Sequence, residues 1–448
     1  MSKDIRIKKG LDIRLVGKAE KTISEGPRSR TITIRPSDFH LVTPKMVVKE
    51  GAILQAGDEL FYSKSQESIR FVSPVAGTLT EIKRGARRVI TDLIIEADYN
   101  GGSKDFGSLS ASASSDDVKQ KLLSSGLWPF IKQRPYDVVA NPNSEPKAIF
   151  ISGMATAPLA ADLNFTLAGK EKELQAAVTA LSSLTAGSVH VSISGSESPF
   201  AGLSHIKTHV VKGPHPAGNV GTLINKLDPV NKGEVVWTVA AQDLVIIGEL
   251  LLTGHFNPER IISVAGSSVK TPKYYKTIIG AEVATFAYDA GIEGENNRFI
   301  SGDVLTGNKV DPKGALGYYA NSFVAIPEGD DYEFFGWNKP VFDKISPSRA
   351  LTFSWMQPKK RYDLDTNTNG EHRAFVVTGN YEEVFPLDIY PMQILKSCMV
   401  NDLDEMEALG MYEVAPEDFA LTEFICVSKQ PHQQIIREGL DLMYKEIG

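Results

Sequence analysis

Apolar positions change their period along the chain, and each change marks a part. Over residues 5–96 short β-type runs at 31–34, 47–48, 71–72, 78–82 and 93–95 alternate with turns, which predicts an all-β module. The stretch 100–117, NGGSKDFGSLSASASSDD, is rich in Gly and Ser and poor in large apolar residues, so it reads as a flexible connection and a boundary. Beyond it the periods mix. Residues 117–123 predict a short helix, 147–152 a buried strand and 153–162 a turn, while Leu174, Ala177, Val178, Leu181 and Leu184 form one apolar helix face before 189–192 returns as a strand. Residues 237–252 predict a helix covering the sheet. This alternation is that of an α/β layer.

The segments 260–269, 274–285 and 298–307 predict strand, turn, helix and strand in a β-grasp-like pattern, with one more strand at 323–326. Residues 336–361 are irregular and aromatic. From Pro386 the pattern becomes helical: Pro391 suits a first turn, Ile394, Leu395, Cys398 and Met399 take core spacing, and Gly410 can end the stripe of Leu403, Met406 and Leu409. Pro416 opens a short helix through Leu421, Phe424 and Ile425, and Ile435, Ile436, Leu440 and Met443 mark the last one. The expected division is a β module over 1–100, an α/β domain over 101–255, a β-grasp-like domain over 256–330 and a mainly helical region over 331–448.

Two stretches carry candidate chemistry. In 208–222, THVVKGPHPAGNVGT, the residues Gly213, Pro214, Pro216, Gly218 and Gly221 exclude helix and strand, so the backbone is shaped for a close approach and the loop reads as a site loop. In 124–137, Trp128, Phe130 and Tyr136 stand beside Lys132 and Arg134, a combination that suits a planar, partly anionic ligand such as a quinone or flavin, or else a domain-packing loop. His205, His209 and His215 surround the first stretch. On one strand His205 and His209 would share a face ~13 Å apart, too far for one metal ion, so solvated or hydrogen-bonded histidines are the better reading. GMATAP (153–158) is not GxGxxG and no GxxxxGK[ST] occurs, so no ordinary dinucleotide fingerprint is present.

Charge and cysteines narrow the classes. A net charge of -7 gives no reason to expect nucleic acid, and the basic clusters at 83–88 and 359–361 read as solvated turns. Two cysteines, Cys398 and Cys426, exclude a disulfide framework and a Cys-only metal or iron-sulfur site, which fits a reducing compartment. The N-terminus lacks the apolar run of a signal peptide, and the most apolar window, 235–252, carries Asp243 and Glu249, so no membrane span is expected.

VVKEGAILQAGDELF (47–61) and FVSPVAGTLTEIKRG (71–85) resemble the two halves of a biotinyl/lipoyl-type barrel-sandwich hybrid. Lys64 in the intervening YSKSQESIR lacks the usual flanking Met or Asp, which favours an unmodified barrel over a swinging arm. Read in order, IRIKKGLDIRLVG (5–17), SPVAGTLTEIKRGARRVI (73–90), SGLWPFIKQRP (125–135), KGPHPAGNVGT (212–222), ISGDVLTG (300–307), TNTNGEHR (366–373) and GNYEEVFPLDIYP (379–391) resemble the A subunits of the bacterial Na+-translocating NADH:quinone oxidoreductases (Na+-NQR).

That resemblance implies a multidomain α/β fold: a barrel-sandwich module, a Rossmann-like α/β domain, a β-grasp-like (SLBB-type) domain and a helical end. The related flavin subunit of complex I and the Rnf C subunit bind FMN and NADH through a loop like GxGGAGFP, and hold iron-sulfur clusters on cysteines. Here SGLWPFIKQRP stands in place of that loop, and Cys426 is left alone in EFICVSK. The implied protein is a peripheral subunit on the cytoplasmic face of the inner membrane, in a pump that couples NADH oxidation and quinone reduction to Na+ export. Flavins and iron-sulfur would sit in other subunits, and the membrane subunits and quinone would be its partners. The resemblance links this subunit to quinone binding, with Trp128, Phe130, Lys132, Arg134 and His215 as candidate contacts. The alternatives are a non-catalytic assembly scaffold or a dehydrogenase subunit that binds FMN and NADH.

Overall fold

The period-two pattern of the N-terminal module closes two small sheets on one core in this computed structural model, which describes residues 4–330 and 359–448 together with 334, 336, 344–347 and 356. The irregular aromatic stretch expected at 336–361 therefore lies mostly outside the described residues. Thr31–Ile34, Ile90–Ala97, Gly77–Arg84 and Ile53–Leu54 are antiparallel neighbours in one sheet, and Pro44–Met46, Glu59–Ser63 and Arg70–Val72 in the other. Their inward residues Ile32, Leu60, Leu79, Leu93 and Ile95 are fully buried, while Lys64 is exposed on the connection between Glu59–Ser63 and Arg70–Val72. Two early strands leave this module. Asp4–Arg6 runs parallel to Ile206–Lys212, and Glu20–Ser24 parallel to Lys273–Ile278, so the first hundred residues are stitched into both following sheets.

The α/β layer is a seven-stranded sheet in the order Asp4–Arg6, Ile206–Lys212, Val189–Ile193, Ile149–Ser152, Val236–Ala240, Ile131–Arg134, Val138–Val139. The first five are parallel, Ile131–Arg134 runs antiparallel to them, and Val138–Val139 antiparallel to Ile131–Arg134. From Ile149–Ser152 the chain winds outward through Glu171–Ser182 to Val189–Ile193, then crosses to Val236–Ala240 on the other side. The carboxyl ends of Ile149–Ser152 and Val236–Ala240 thus diverge at a topological switch point, where open α/β sheets bind ligands.

Three expectations are corrected here. The helix expected over 237–252 is a strand, Val236–Ala240, followed by the helix Ala241–Thr253. Val236, Trp237, Thr238 and Val239 are β-branched or aromatic and pair on both edges, which outweighs a helical reading of the apolar run. The helix expected within 274–285 is the strand Lys273–Ile278, antiparallel to Glu259–Ala265, and helix begins only at Val283, after Gly280 turns with φ 76°. The connection at 100–117 is anchored. Lys104 N–H donates to Ala56 O, Phe106 N–H to Gly254 O and Leu109 N–H to Leu251 O, all at 2.8 Å, because backbone groups packed against two domains need partners that composition does not reveal.

Asn308–Val310, Asn297–Ser301, Ser322–Pro327, Glu259–Ala265 and Lys273–Ile278 form the β-grasp-like sheet, extended by Glu20–Ser24 and packed by the helix Val283–Ala290. The helices Pro391–Val400, Leu403–Ala408 and His432–Ile447 bury Ile394, Leu395, Met406, Ile436, Leu440 and Met443 in one core with Phe150, Val211 and Ile224 of the α/β layer. Among the described residues no helix is long and apolar enough to cross a membrane.

Candidate functional site

A cavity of about 760 Å³ opens at the switch point. The sheet contributes Ser152, Thr238 and Ala240, the β-grasp-like domain Tyr318 and Tyr319, and the helical end Glu417, Gln433 and Arg437. The strand Ile131–Arg134 supplies the charged wall. Alternation along it puts Lys132 and Arg134 on one face, and both line the cavity, as does Phe130 from the preceding turn.

These neighbours have different tasks. Phe130 stacks on Tyr318 with ring centroids 5.3 Å apart, and Lys132 Nζ lies 4.4 Å from the centre of the Tyr319 ring. Arg134 is 2% exposed: its Nη1 donates to Glu413 O and Asp418 Oδ2, both at 2.7 Å, and its Nη2 to Glu417 Oε1 at 2.9 Å. Burial opposes the guanidinium charge, but the Asp418 and Glu417 carboxylates outweigh it and hold Arg134 protonated. Burial in turn pushes Asp418 above the ordinary carboxylate range against the pull of Arg134. Trp128 lies outside the cavity lining. It is fully buried, donates Nε1–H to Ala140 O at 2.7 Å and meets Trp237 edge-on at 5.4 Å.

The Gly- and Pro-rich loop does approach something closely, and that something is the chain itself. A Cβ at Gly213 would lie 2.4 Å from Ile7 O, one at Gly218 2.8 Å from Thr156 N, and one at Gly221 2.2 Å from Asp418 Oδ1. The carbonyls of Pro214 and Pro216 accept the N–H groups of Ala217 and Asn219 at 2.9 Å, which leads the loop into the helix Val220–Leu227; Gly221, expected to exclude helix, lies in its first turn, because the missing side chain makes room for Asp418 and Arg134. Of this loop Gly218 reaches the cavity directly, followed by Asn219 and Val220.

The histidines are dispersed. His209 Nε2 and His190 Nδ1 are 2.9 Å apart, and His215 Nδ1 lies 3.1 Å from Thr156 Oγ1, behind the cavity lining. Burial pushes His215 down to about 4. Its folded value lies below the unfolded one, so the neutral ring is the stable form and stability falls as pH drops below about 6.5. At pH 5 the group should cost about 2 kcal/mol relative to pH 7. Urea unfolding at the two pH values should show at least that loss, since burial depresses His190 and His432 in the same direction, and His215→Gln should remove its share.

The lining carries five carboxylates, Asp38, Asp137, Asp243, Asp303 and Glu417, against Lys132, Arg134 and Arg437. Burial raises Asp38, Asp243 and Glu417, the last to about 7, and Arg260 behind the wall neutralises Asp243, so the two signs nearly balance. That balance suits an uncharged ligand.

Known families describe most of the chain. The NqrA N-terminal barrel-sandwich hybrid domain matches residues 5–98, the NqrA second alpha/beta domain 113–256 and the NQRA C-terminal domain 261–311. The A subunit of the Na(+)-translocating NADH-quinone reductase of Alcanivorax borkumensis is 37% identical over 99% of this chain and 100% of its own length. Those of Neisseria meningitidis and Haemophilus influenzae are 36% and 38% identical over the same shares. The chain belongs to the family of Na(+)-translocating NADH-quinone reductase A subunits. Among solved structures, an air-oxidised NAD+-reducing [NiFe]-hydrogenase aligns with 67% of this chain and 69% of its own at 9% identity and a TM-score of 0.35, too remote to bear on function.

In this member of the NADH-quinone reductase family, sequence reasoning missed the far wall of the cavity. Tyr318, Tyr319, Asp38 and Glu417 come from three other parts of the chain, and only the adjacent aromatics of GYYAN hinted at a surface. Asp243 is 1% exposed and held by Arg260 Nη2 at 2.6 Å, a pairing of helix and strand that no local pattern announces.

Proposed function

We propose that this chain is the peripheral A subunit of a Na+-translocating NADH-quinone reductase, placed on the cytoplasmic face of the membrane, and that its central cavity receives the quinone headgroup. The subunit shapes the site, docks on the membrane subunits and carries no redox cofactor of its own; NADH oxidation and Na+ export belong to the assembled complex. The observation that carries this reading is the aromatic wall of Phe130, Tyr318 and Tyr319 with the Lys132 ammonium beside it, in a cavity of about 760 Å³. Such a volume takes a drug-sized planar ligand, and a quinone asks for an apolar slot with a donor for its carbonyl. The lining offers no excess of positive charge to hold a flavin phosphate in the same place.

Lys132 is the residue to test, because it has no ion pair to lose among the described residues. Lys132→Ala should weaken binding of a soluble short-chain quinone to the full chain about tenfold, the loss of one charge-assisted hydrogen bond. A modest drop in melting temperature should accompany it because, against the effect of burial, the Lys132 charge helps hold the Asp137 carboxylate below its ordinary range. Calorimetric titration checks this, and an unchanged affinity in the folded variant would remove the quinone from this cavity.

A further inference from the structure

On the other side of the loop 153–162 lies a second groove, of about 580 Å³. It opens over the carboxyl ends of Ile149–Ser152 and Val189–Ile193, at Gly153 and Ser194. Its lining, unlike that of the central cavity, is strongly basic. Arg14, Lys18, Lys359 and Arg361 line it against one carboxylate, Asp162. That carboxylate is already engaged, 2.5 Å from Lys21 Nζ and accepting the Phe165 N–H as a helix cap.

Backbone pairing puts the cations together. Leu15 and Tyr362 form a parallel bridge, with Tyr362 N–H donating to Arg14 O at 2.8 Å and Val16 N–H to Tyr362 O at 3.0 Å. Both Leu15 and Tyr362 are buried, so the bridge turns their predecessors Arg14 and Arg361 towards the exposed side, where Lys359, in the turn just before, is exposed too. Like charges directly opposite across paired strands repel. None of the four cations has an ion-pair partner among the described residues, and Asp12, the nearest acid along the chain from Arg14, accepts the His215 N–H instead.

We propose that this groove binds a phosphate-bearing anion, the paired guanidiniums of Arg14 and Arg361 gripping a diphosphate. Guanidinium forks match phosphate oxygens two at a time, and four cations around one groove exceed what a single carboxylate would neutralise. The sequence cluster at 359–361, read alone as a solvated turn, becomes half of a site once Arg14 and Lys18 stand opposite. This inference does not rest on the quinone reading, which concerns the other cavity.

The test is calorimetric titration of the full chain with inorganic pyrophosphate, and in parallel with ADP, at low ionic strength. Saturable binding is expected, about tenfold or more weaker in Arg14→Gln/Arg361→Gln, whose melting temperature without ligand should match or exceed that of the parent. Tighter binding of ADP than of pyrophosphate would assign a nucleotide, and equal binding a bare diphosphate. Arg87→Gln/Arg88→Gln removes the same charge elsewhere and should leave binding intact. Absence of saturable binding, an unchanged affinity in Arg14→Gln/Arg361→Gln, or an equal loss in the Arg87/Arg88 variant would overturn the proposal.

Discussion

Replacing Arg134 with alanine should lower the unfolding free energy by about 3–5 kcal/mol, the range for breaking a buried ion pair from one side. The guanidinium ties the sheet strand Ile131–Arg134 to the helical end through Glu413 O, Asp418 and Glu417. Asp418 has no exposed side-chain surface, and its Oδ1 already lacks a hydrogen-bond partner, so without Arg134 it must hold an unpaired buried charge or take up a proton. Either outcome loosens the contact on which Gly221 sits, since that glycine is backed by Asp418 and Arg134 together. Denaturant titration followed by tryptophan fluorescence should give the stated loss. Arg134→Lys, which keeps a charge but not the fork, should recover only part of it. A stability within ~0.5 kcal/mol of the parent in Arg134→Ala would show that the buried pair does not hold the two parts together.

Trp128→Ala should be comparably damaging, about 3–5 kcal/mol, because it empties a fully enclosed indole site and leaves Ala140 O without its donor. Trp128→Phe separates the contributions. It keeps most of the ring against Trp237 but loses the hydrogen bond, so a smaller cost of about 1–3 kcal/mol is expected. Quinone affinity provides the second readout. Since the indole lies outside the cavity lining, folded Trp128→Phe should bind short-chain quinone like the parent, in contrast to Lys132→Ala. A quinone affinity lost in Trp128→Phe at unchanged stability would put the indole back among the ligand contacts.

Both residues belong to SGLWPFIKQRP, and that stretch shows what a local reading can and cannot do. Aromatic and cationic side chains in alternation identified a special segment, and the alternation itself placed Lys132 and Arg134 on one face. It could not say that Arg134 would meet two carboxylates some 280 residues later in the chain while Lys132 would meet the ring of Tyr319. The loop 208–222 is a parallel case. Its glycines did mark close approach, but the approaching atoms belong to Ile7, Thr156 and Asp418, and packing against the protein's own backbone leaves the same signature in sequence as packing against a ligand.

Residue order by itself gave the succession of layers: a β module, an α/β layer, a β-grasp-like pattern and a helical end follow from hydrophobic period and turn residues, which act over a few positions, while the barrel-sandwich form of the first was implied by a family resemblance. It misjudged the strands Val236–Ala240 and Lys273–Ile278, where pairing with distant strands outweighed the local pattern. Tertiary structure alone decided the charge of each cavity. Asp38, Asp137, Asp243, Asp303 and Glu417 converge at the switch point, while Arg14 and Lys18 meet Lys359 and Arg361 in the groove on the other side of the loop 153–162. Electrostatic character is a sum over neighbours in space, and chain order does not contain that sum until the fold brings the neighbours together.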